Sequence, residues 1–210
     1  REIPLTESFL IIGSNTTEAH PVIGSWMKEN AQNGKTLLVC DPRRIELAKH
    51  ATMYLRHRSG SDVALLNGFM HVIIREELYD KKFVEERTEN FEALRDLVAS
   101  YDPQRVSELT GIAPQDIEAA ARLYAKGPNS AIFYTMGITQ HVTGTDNVRS
   151  TANLAMLCGM LGRPGTGVNP LRGQNNVQGA CDMGCLSATV PGYGKIADPA
   201  VREKVKNLWN

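Results

Sequence analysis

The sequence predicts an α/β fold in which helices cover a parallel sheet. Two apolar runs, at residues 9–12 and 36–40, each end in a polar turn, and a helical pattern follows each turn. Strands, turns and helices that recur at this spacing are typical of parallel sheets, because each crossover between parallel strands needs a covering helix. The 42% hydrophobic content of the 210 residues is sufficient for a substantial core.

The first predicted unit is an α/β unit with a helical insertion and covers residues 1–127. After the first strand, Pro21 suits the first turn of a helix that continues to about residue 33. The pattern after the second strand predicts a helix, a third strand and a longer helix, at residues 45–51, 53–55 and 63–77. Residues 78–124 are charged and helical in pattern, and we interpret them as solvated helices.

A second α/β unit is expected over residues 128–210. The dipeptide Gly127-Pro128 interrupts the helical pattern, and residues 131–134 then predict a strand. Thr145 or Asp146 is a suitable cap for the next helix, and Gly162 is a suitable stop for it. A short amphipathic helix is expected over residues 199–209.

Residues 159–184 carry seven glycines, two prolines, three asparagines and two glutamines. This composition predicts an irregular path that brings main-chain N–H groups and amide side chains close to a polar ligand. Arg172 presents a planar fork of donors within this segment, and Gly173 allows a ligand to approach the backbone. The structural alternative is a surface loop with one solvated arginine, although loops longer than about 12–15 residues are often functional.

Polar residues follow each of the first three predicted strands, where ligands bind in open α/β sheets. Residues 13–18 suit a phosphate at a helix N-terminus, but they lack the Gly-x-Gly-x-x-Gly pattern of a nicotinamide site. Asp41 can accept hydrogen bonds from a guanine or from ribose hydroxyls, and Arg43 can face a phosphate. Taken singly, these residues are more often structural; Ser61 can be a helix cap and Asp62 a first-turn carboxylate.

Composition excludes several other classes of protein. Lys plus Arg equals Asp plus Glu at 23 each, so no basic surface indicates a nucleic-acid partner. No apolar run approaches the roughly 18 residues of a membrane span. The four cysteines lack the spacing of a zinc or iron–sulfur site, so we predict structural thiols and no metal ligand. The start at Arg1 without an initiator Met suggests an internal piece of a longer polypeptide.

Residues 168–184 resemble the active-site segment of molybdenum- or tungsten-dependent formate dehydrogenases, in the molybdopterin oxidoreductase family. The resemblance implies that Arg172 lies beside the metal and pairs with formate. It assigns contacts with one of two pterin guanine dinucleotides to Gly173, Gln174 and Asn175. It also implies that the nucleotide end of the pterin dinucleotide is held by Gly13, Ser14, Asn15, Thr16, Thr17, Glu18, Asp41, Pro42, Arg43, Gly60, Ser61 and Asp62. A further pterin-contacting loop is expected at Met136, Gly137, Ile138 and Gln140.

The resemblance also implies Rossmann-like three-layer units, as in domains 1–3 of the formate dehydrogenase and DMSO reductase type. The implied cofactor is a molybdenum or tungsten bis-(molybdopterin guanine dinucleotide), with a [4Fe-4S] cluster elsewhere in the parent protein. The implied partners are formate, an electron-transfer subunit, and the rest of the parent chain with its N-terminal iron–sulfur domain and C-terminal β-barrel. We expect a cytoplasmic location, with a periplasmic one open, and we expect these 210 residues to be inactive alone.

Two other functions remain open at this point. The nucleotide loops do not select a substrate, so a related enzyme that reduces nitrate or another oxo-anion has the same first-half motifs. A metal-free scaffold, like the molybdopterin-like subunit of respiratory complex I, is the alternative from another class. His141, which follows the last predicted pterin loop, is at least as typical of a hydrogen-bonded structural histidine as of an acid or base.

Overall fold

The computed structural model describes residues 2–209. The chain divides into two compact units, and the division falls between Leu171 and Arg172. The first unit contains a parallel sheet with helices on both faces, and the second unit contains short elements.

The strands of the first unit are β1 (Ser8–Ile12), β2 (Thr36–Cys40), β3 (Met53–Leu55), β4 (Ser130–Tyr134) and β5 (Gly167–Pro170). Its helices are α1 (Thr16–Ala19), α2 (Pro21–Gln32), α3 (Asp62–Arg75), α4 (Lys81–Arg87), α5 (Phe91–Val98), α6 (Pro103–Thr110), α7 (Pro114–Ala125), α8 (Met136–Thr139) and α9 (Gly144–Leu157). Short 3₁₀ turns occupy Ile3–Leu5 and Glu46–Lys49. Pro at the first position of α2, α6 and α7 fits a helix start, because its missing N–H has no helical partner there.

The sheet has the strand order β3-β2-β1-β4-β5, and all four pairings are parallel. The central strand β1 pairs along its whole length with β2 on one side and with β4 on the other. The chain moves outward from β1 to β3 and then returns to add β4 and β5 on the other side. The strand order therefore reverses between β1 and β4, and a crevice is expected at the carboxyl ends of these two strands.

Successive residues of β1 supply the cores on the two faces of the sheet. Leu10 and Ile12 belong to the larger core, beneath the helical layer that includes α3, α7 and α9. Phe9 and Ile11 belong to the smaller core, which also takes Met27 from α2. This alternation, with all of β1 buried, is the pattern of a strand covered on both faces, so the unit has three layers.

Among the described residues, the second unit has two helices, α10 (Val177–Asp182) and α11 (Pro199–Trp209), and two short strands, β6 (Thr189–Val190) and β7 (Gly194–Lys195). The two strands form an antiparallel hairpin around a 3₁₀ turn at Pro191–Tyr193. Cys181 is its one buried hydrophobic residue among those described. The helix expected at the C-terminal end of the sequence is present as α11.

The predicted α/β fold with a parallel sheet is confirmed, while several boundaries differ. Residues 128–171 add to the first sheet, because β4 pairs with β1, so the observed division lies at residue 171 and not at residue 127. Residues 45–51 contain a single 3₁₀ turn, which is enough to bury Leu47 and Ala48 before β3 begins. The helix expected to stop at Gly162 ends at Leu157.

The glycine-rich segment 159–184 is more regular than its composition predicts, since it contains β5 and α10. Strand β5 is an edge strand that pairs only with β4, a position that tolerates Pro170 because no ladder N–H is needed on its open side. Tertiary pairing with β4 therefore overrides the weak strand propensity of glycine and asparagine.

Candidate functional site

The loops that follow β1 and β4 touch each other through two glycines at the point where the strand order reverses. The Gly137 N–H donates to the Gly13 carbonyl at 3.1 Å, and Thr135 Oγ1 donates to the same carbonyl at 2.9 Å. A Cβ on Gly13 would lie 2.7 Å from the Gly137 carbonyl carbon, and Gly13 has φ +56°. Both the backbone conformation and the close approach require glycine at residue 13, so the sequence shapes the floor of the crevice here.

The loop after β1 presents main chain and not hydroxyl groups. The side chains of Ser14 and Thr16 are buried and hydrogen-bond each other at 3.0 Å. The main-chain N–H groups of Ser14 and Asn15 donate to no other residue within 2–209. Thr17 is partly buried and pairs with the Asn15 side chain, and Glu18 is exposed. Main-chain N–H groups without a protein acceptor, followed by a helical turn, are suited to binding an anion. The predicted phosphate contact of this loop would therefore be made by main-chain N–H groups and not by hydroxyl groups.

Asp41 lies directly after β2 and is partly buried. Its Oδ1 accepts the Arg43 N–H at 2.8 Å, while its Oδ2 has no hydrogen-bond partner within residues 2–209. Burial raises the pKa of this carboxyl above its ordinary value, against the opposing effect of the Arg43 hydrogen bond. Pro42 uses its carbonyl to accept from Arg56 Nε at 3.0 Å. The geometry leaves one carboxylate oxygen available to a ligand donor.

A cationic cavity of about 530 Å³ opens beside these loops. It is lined by Glu18, Arg43, Arg44, Ile45, Glu46 and Lys49. Glu46 and Lys49 pair at 2.6 Å, whereas Arg43 and Arg44 have no ion pair with a carboxylate in the described part of the chain. Two residues predicted for the nucleotide end, Glu18 and Arg43, are thus brought to one cavity. Arg44 is the last residue of the segment 41–44 that resembles the family's nucleotide-binding part, whereas sequence reasoning missed Lys49.

The loop after β3 is ordered by its own side chains. The Ser61 hydroxyl donates to the Arg58 carbonyl at 2.6 Å and does not cap α3. Asp62 is 2% exposed, and its Oδ1 pairs with His57 Nε2 at 2.9 Å. Gly60, with φ +81°, is exposed and has open space around its Cβ position. The Asp62 carboxylate therefore acts mainly inside the protein, and sequence reasoning missed its partner His57, a polar residue two positions beyond β3.

The predicted pterin loop forms the short helix α8. Met136 and Gly137 are exposed, and the exposed Gln140 amide lies 3.3 Å from Met136 Sδ. Ile138 is fully buried in the larger core, so only its main chain is available to a ligand. His141 Nε2 is hydrogen-bonded to the Gly137 carbonyl at 2.8 Å, which agrees with the structural alternative for this histidine.

Arg172, Gly173, Gln174 and Asn175 are exposed residues at the start of the second unit. Within that unit, Asn176 adopts φ +56° immediately before α10. Asp182 Oδ1 accepts from the Tyr193 hydroxyl at 2.5 Å and from Gln178 Nε2 at 3.0 Å. These contacts join the end of α10 to the 3₁₀ turn.

The cysteines are not paired in disulfides, and three of the four are buried. Burial raises the pKa of the Cys158 thiol to about 12 and also raises that of Cys40, so both are protonated, unreactive thiols. No group of three or more His, Cys, Asp or Glu side chains within residues 2–209 is arranged to hold a metal ion. None of the helices in the described part of the chain has the length and apolarity needed to cross a membrane.

A cavity of about 820 Å³, larger than the cationic cavity, lies between α4, α5 and α9 and is lined by none of the predicted site residues. Volume alone therefore does not locate the site. The polar loops and the glycine contact favour the carboxyl edge of the sheet, which is also where doubly wound sheets bind ligands.

The strand order, with its reversal between β1 and β4, places the first unit among the doubly wound α/β proteins. A sequence model of the molybdopterin oxidoreductase family matches residues 2–210. The chain belongs to the molybdopterin oxidoreductase family, as the motifs at residues 13–18, 41–43 and 168–184 predicted. Membership in this family implies a molybdopterin-type metal cofactor.

The similar proteins include several formate dehydrogenases. The chain is 49% identical over 208 residues to formate dehydrogenase H of Escherichia coli, covering 99% of the chain and 29% of that protein. It is 46% identical over 209 residues to the F420-dependent formate dehydrogenase 1 subunit alpha of Methanococcus maripaludis, covering 100% of the chain and 31% of that subunit. A nitrate reductase of Synechocystis is 34% identical over 210 residues, covering 99% of the chain and 29% of that protein. The chain thus spans about three tenths of the length of these relatives.

A solved structure supports the fold. The acetylene hydratase of Pelobacter acetylenicus superposes with a TM-score of 0.70 at 32% sequence identity. The superposition covers 73% of this chain and 21% of that one.

Proposed function

We propose that this chain is part of the catalytic subunit of a formate dehydrogenase. In this proposal the protein oxidises formate to carbon dioxide at a molybdenum or tungsten bis-(molybdopterin guanine dinucleotide) centre and passes the electrons to an iron–sulfur cluster outside these 210 residues. The single observation that supports formate most strongly is the identity of 49% and 46% to two formate dehydrogenases over nearly the whole chain. A nitrate reductase, at 34%, is a more distant relative.

The residues of the first unit fit one nucleotide arm of that cofactor. The main-chain N–H groups of Ser14 and Asn15, which have no partner among residues 2–209, and the cationic cavity beside Arg43 suit phosphates. The available Oδ2 of Asp41 suits a guanine edge or ribose hydroxyls as hydrogen-bond donors. The Gly13 and Gly137 contact leaves no side chain between the crevice and the backbone. These are the residues that would hold the group in our proposal, together with Gly60, Met136 and Gln140.

Arg172 is the proposed catalytic residue. Formate is a one-carbon carboxylate, and a guanidinium can bind both of its oxygens through two parallel hydrogen bonds. Such charge-assisted hydrogen bonds contribute about 1.5–3 kcal/mol each, which is enough to orient the substrate. The bound metal and its pterins would supply the two-electron chemistry that no side chain of this chain can perform. Arg172 follows the carboxyl end of β5 by two residues, and Gly173, Gln174 and Asn175 complete the proposed contacts.

The role of Arg172 can be tested in the protein that contains this chain, purified with its cofactor. We expect Arg172→Ala to retain metal and guanine nucleotide while turnover with formate and a dye acceptor falls at least about a hundredfold, because two charge-assisted bonds are lost. Arg172→Lys is expected to recover only part of the rate, since an ammonium lacks the fork. Arg163→Ala removes another exposed arginine, which binds main chain at Pro128, and serves as the matched control. Normal turnover in Arg172→Ala would refute the assignment.

The role of Asp41 calls for a different readout. We expect Asp41→Ala to release guanine nucleotide faster than the wild type, while the rate per bound cofactor is nearly unchanged. The released nucleotide is measured as GMP after acid treatment, beside metal content. Asp116→Ala, on the first turn of α7 in the helical layer, is the control. Equal nucleotide retention in Asp41→Ala and wild type would remove Asp41 from the site.

The same preparations separate the alternatives. A nitrate-reducing enzyme would carry the cofactor but turn over nitrate and not formate in a substrate screen. A metal-free scaffold would show neither metal nor guanine nucleotide on analysis of the purified protein.

A further inference from the structure

Two histidines lie on opposite sides of one buried carboxylate beneath the proposed nucleotide crevice. His57 Nε2 is 2.9 Å from Asp62 Oδ1, and the two side chains are 1% and 3% exposed. His141 Nε2 is 4.0 Å from the other oxygen, Oδ2, of the same carboxylate. His57 follows β3, whereas His141 follows α8 after β4, so the carboxylate lies between the loops of two strands that are not neighbours in the sheet.

His141 continues the connection to the floor of the crevice. Its Nε2 is hydrogen-bonded to the Gly137 carbonyl at 2.8 Å. The N–H of the same residue, Gly137, donates to the Gly13 carbonyl at 3.1 Å. Hydrogen bonds join His57 to Asp62 and His141 to Gly137, and the 4.0 Å approach of His141 Nε2 to Asp62 Oδ2 brings the two pairs together without a hydrogen bond. Gly137 is held at both its N–H and its carbonyl.

We propose that Asp62 is a positioning residue that couples His57 to His141 and, through the Gly137 carbonyl, sets the glycine contact that shapes the nucleotide crevice. This inference rests on the proposed function, because the crevice is taken to hold the guanine dinucleotide. It gives Asp62 a role behind the crevice, in place of the direct nucleotide contact that the resemblance implies.

The chemistry of the groups supports this arrangement. A carboxylate and a main-chain carbonyl only accept hydrogen bonds, so His57 Nε2 carries the proton that it donates to Asp62, and His141 Nε2 carries the proton that it donates to the Gly137 carbonyl. A buried carboxylate is costly unless partners offset its desolvation, so Asp62 holds the His57 ring by a hydrogen bond and favours the nearby His141 ring through its charge. Nδ1 of His57 is buried and has no hydrogen-bond partner within residues 2–209. His57 is therefore oriented by Asp62 alone among the described hydrogen-bonding groups, and loss of the carboxylate releases it.

The test is a double-mutant cycle on cofactor retention in the cofactor-loaded protein that contains this chain. The variants are His57→Leu, His141→Leu and their combination, each in the wild-type and in the Asp62→Asn background. GMP that remains bound after timed dialysis gives the rate of loss, and thermal unfolding gives stability. His71→Leu is the matched control, because His71 Nδ1 is hydrogen-bonded to a main-chain carbonyl, that of Val98, at 3.0 Å on the helical side of the fold.

We expect each single histidine variant to lose nucleotide about five- to tenfold faster than wild type, as the loss of one hydrogen bond implies. The double histidine variant should lose nucleotide no faster than the faster of the two single variants. In the Asp62→Asn background, the histidine substitutions should change the rate of nucleotide loss little further. His141→Asn, whose amide can still donate to Gly137, should retain nucleotide better than His141→Leu. His57→Gln replaces His57→Leu in the cycle if the latter does not accumulate.

Several results would overturn the inference. Multiplicative effects in the double variant would show that the two histidines are independent. An equal rate of loss in His71→Leu would show that any lost histidine hydrogen bond loosens the protein. Lower thermal stability with unchanged nucleotide loss would leave Asp62 a purely structural role. If wild-type protein yields no guanine nucleotide, the proposed function fails and this inference fails with it; if it does and the cycle is multiplicative, only the coupling fails.

Discussion

The contact between Gly13 and Gly137 can be tested by adding one methyl group at a time. At Gly13, alanine adds a Cβ that meets Gly137 backbone atoms at 2.7 and 3.0 Å, and it must also adopt φ +56°. At Gly137, alanine meets the Gly13 carbonyl oxygen at 2.5 Å without a positive φ. At Gly34, alanine must adopt φ +86°, but nothing lies within 4 Å of its Cβ. The three positions therefore separate backbone strain from steric contact.

The expected magnitudes follow from these two effects. Left-handed backbone costs a non-glycine residue roughly 1–2 kcal/mol, so Gly34→Ala should destabilise by about that amount. Crowding against backbone that cannot rotate away costs about 1–3 kcal/mol, which sets the expectation for Gly137→Ala. Gly13→Ala carries both effects, about 2–5 kcal/mol in all. For a unit of this size, that loss lowers Tm by roughly 4–20 °C.

Thermal unfolding of the purified protein measures its stability, and its GMP content measures how much nucleotide the crevice retains. We expect Gly13→Ala and Gly137→Ala to lose bound nucleotide, because the loops after β1 and β4 must separate to admit the methyl group. Gly34→Ala should keep its nucleotide, because Gly34 precedes β2 and so lies at the opposite edge of the sheet. If Gly13→Ala were no less stable than Gly34→Ala and kept its nucleotide, the close contact would not be a constraint on the fold or the site.

Two further predictions concern charges outside the crevice. Arg122 binds both oxygens of Glu76, at 2.7 and 2.8 Å, and this hydrogen bonding lowers the pKa of Glu76 to about 2. Because the folded pKa is depressed, the stabilisation is present above the ordinary pKa near 4.5 and is lost as pH falls toward about 2. After allowance for solvent screening, Glu76→Gln should remove about 1–2 kcal/mol of this pH-dependent stability, measured by urea unfolding at a series of pH values. Glu89→Gln should not, because Glu89 is an exposed acid without an ion pair among the described residues. In the second unit, the hydrogen bond from Tyr193 to Asp182 raises the pKa of the tyrosine and lowers that of the aspartate. Alkaline absorbance titration should show one late-ionising tyrosine fewer in Tyr193→Phe and an earlier ionisation in Asp182→Asn; unchanged curves would contradict the hydrogen bond.

The sheet was predictable from sequence because its signals are local. Continuous apolar runs mark β1, β2 and β4, and proline or glycine marks many of the boundaries between elements. Strand β5 was not predictable in this way, since Gly167–Pro170 has neither apolar continuity nor β-branched enrichment. Its strand conformation comes from pairing with β4, which brings together residues about 36 positions apart in sequence. The unit boundary depends on the same long-range pairing.

The site was predictable to the extent that it follows strand ends. Residues after a strand, such as Asp41 and Gly13, lie where the order of elements predicts them. The partners of buried groups were not predictable, because a hydrogen bond such as that of His57 to Asp62 depends on the angle at which a loop returns. Ser14 and Thr16 show the same limit: their hydroxyl groups suggested ligand contacts, but they are buried and paired with each other.

The parallel direction of the strands explains why the segments that follow them lie at one edge of the sheet in the first unit. Each of the five strands ends at that edge, so the chain leaves the sheet there at Gly13, Asp41, Arg56, Thr135 and Leu171. Four of these exits continue into loops or helices of the first unit, and each returns through a helical segment or turn to begin the next strand. Within residues 2–209 the fifth exit begins no further strand of this sheet, and it leads directly into Arg172 and the amide-rich segment. We propose that the returning loops bind nucleotide and that Arg172, after β5, binds substrate. In this proposal, a change at Arg172 alters turnover of formate without releasing the nucleotide held by the first unit, which is the separation that the Arg172 and Asp41 variants measure.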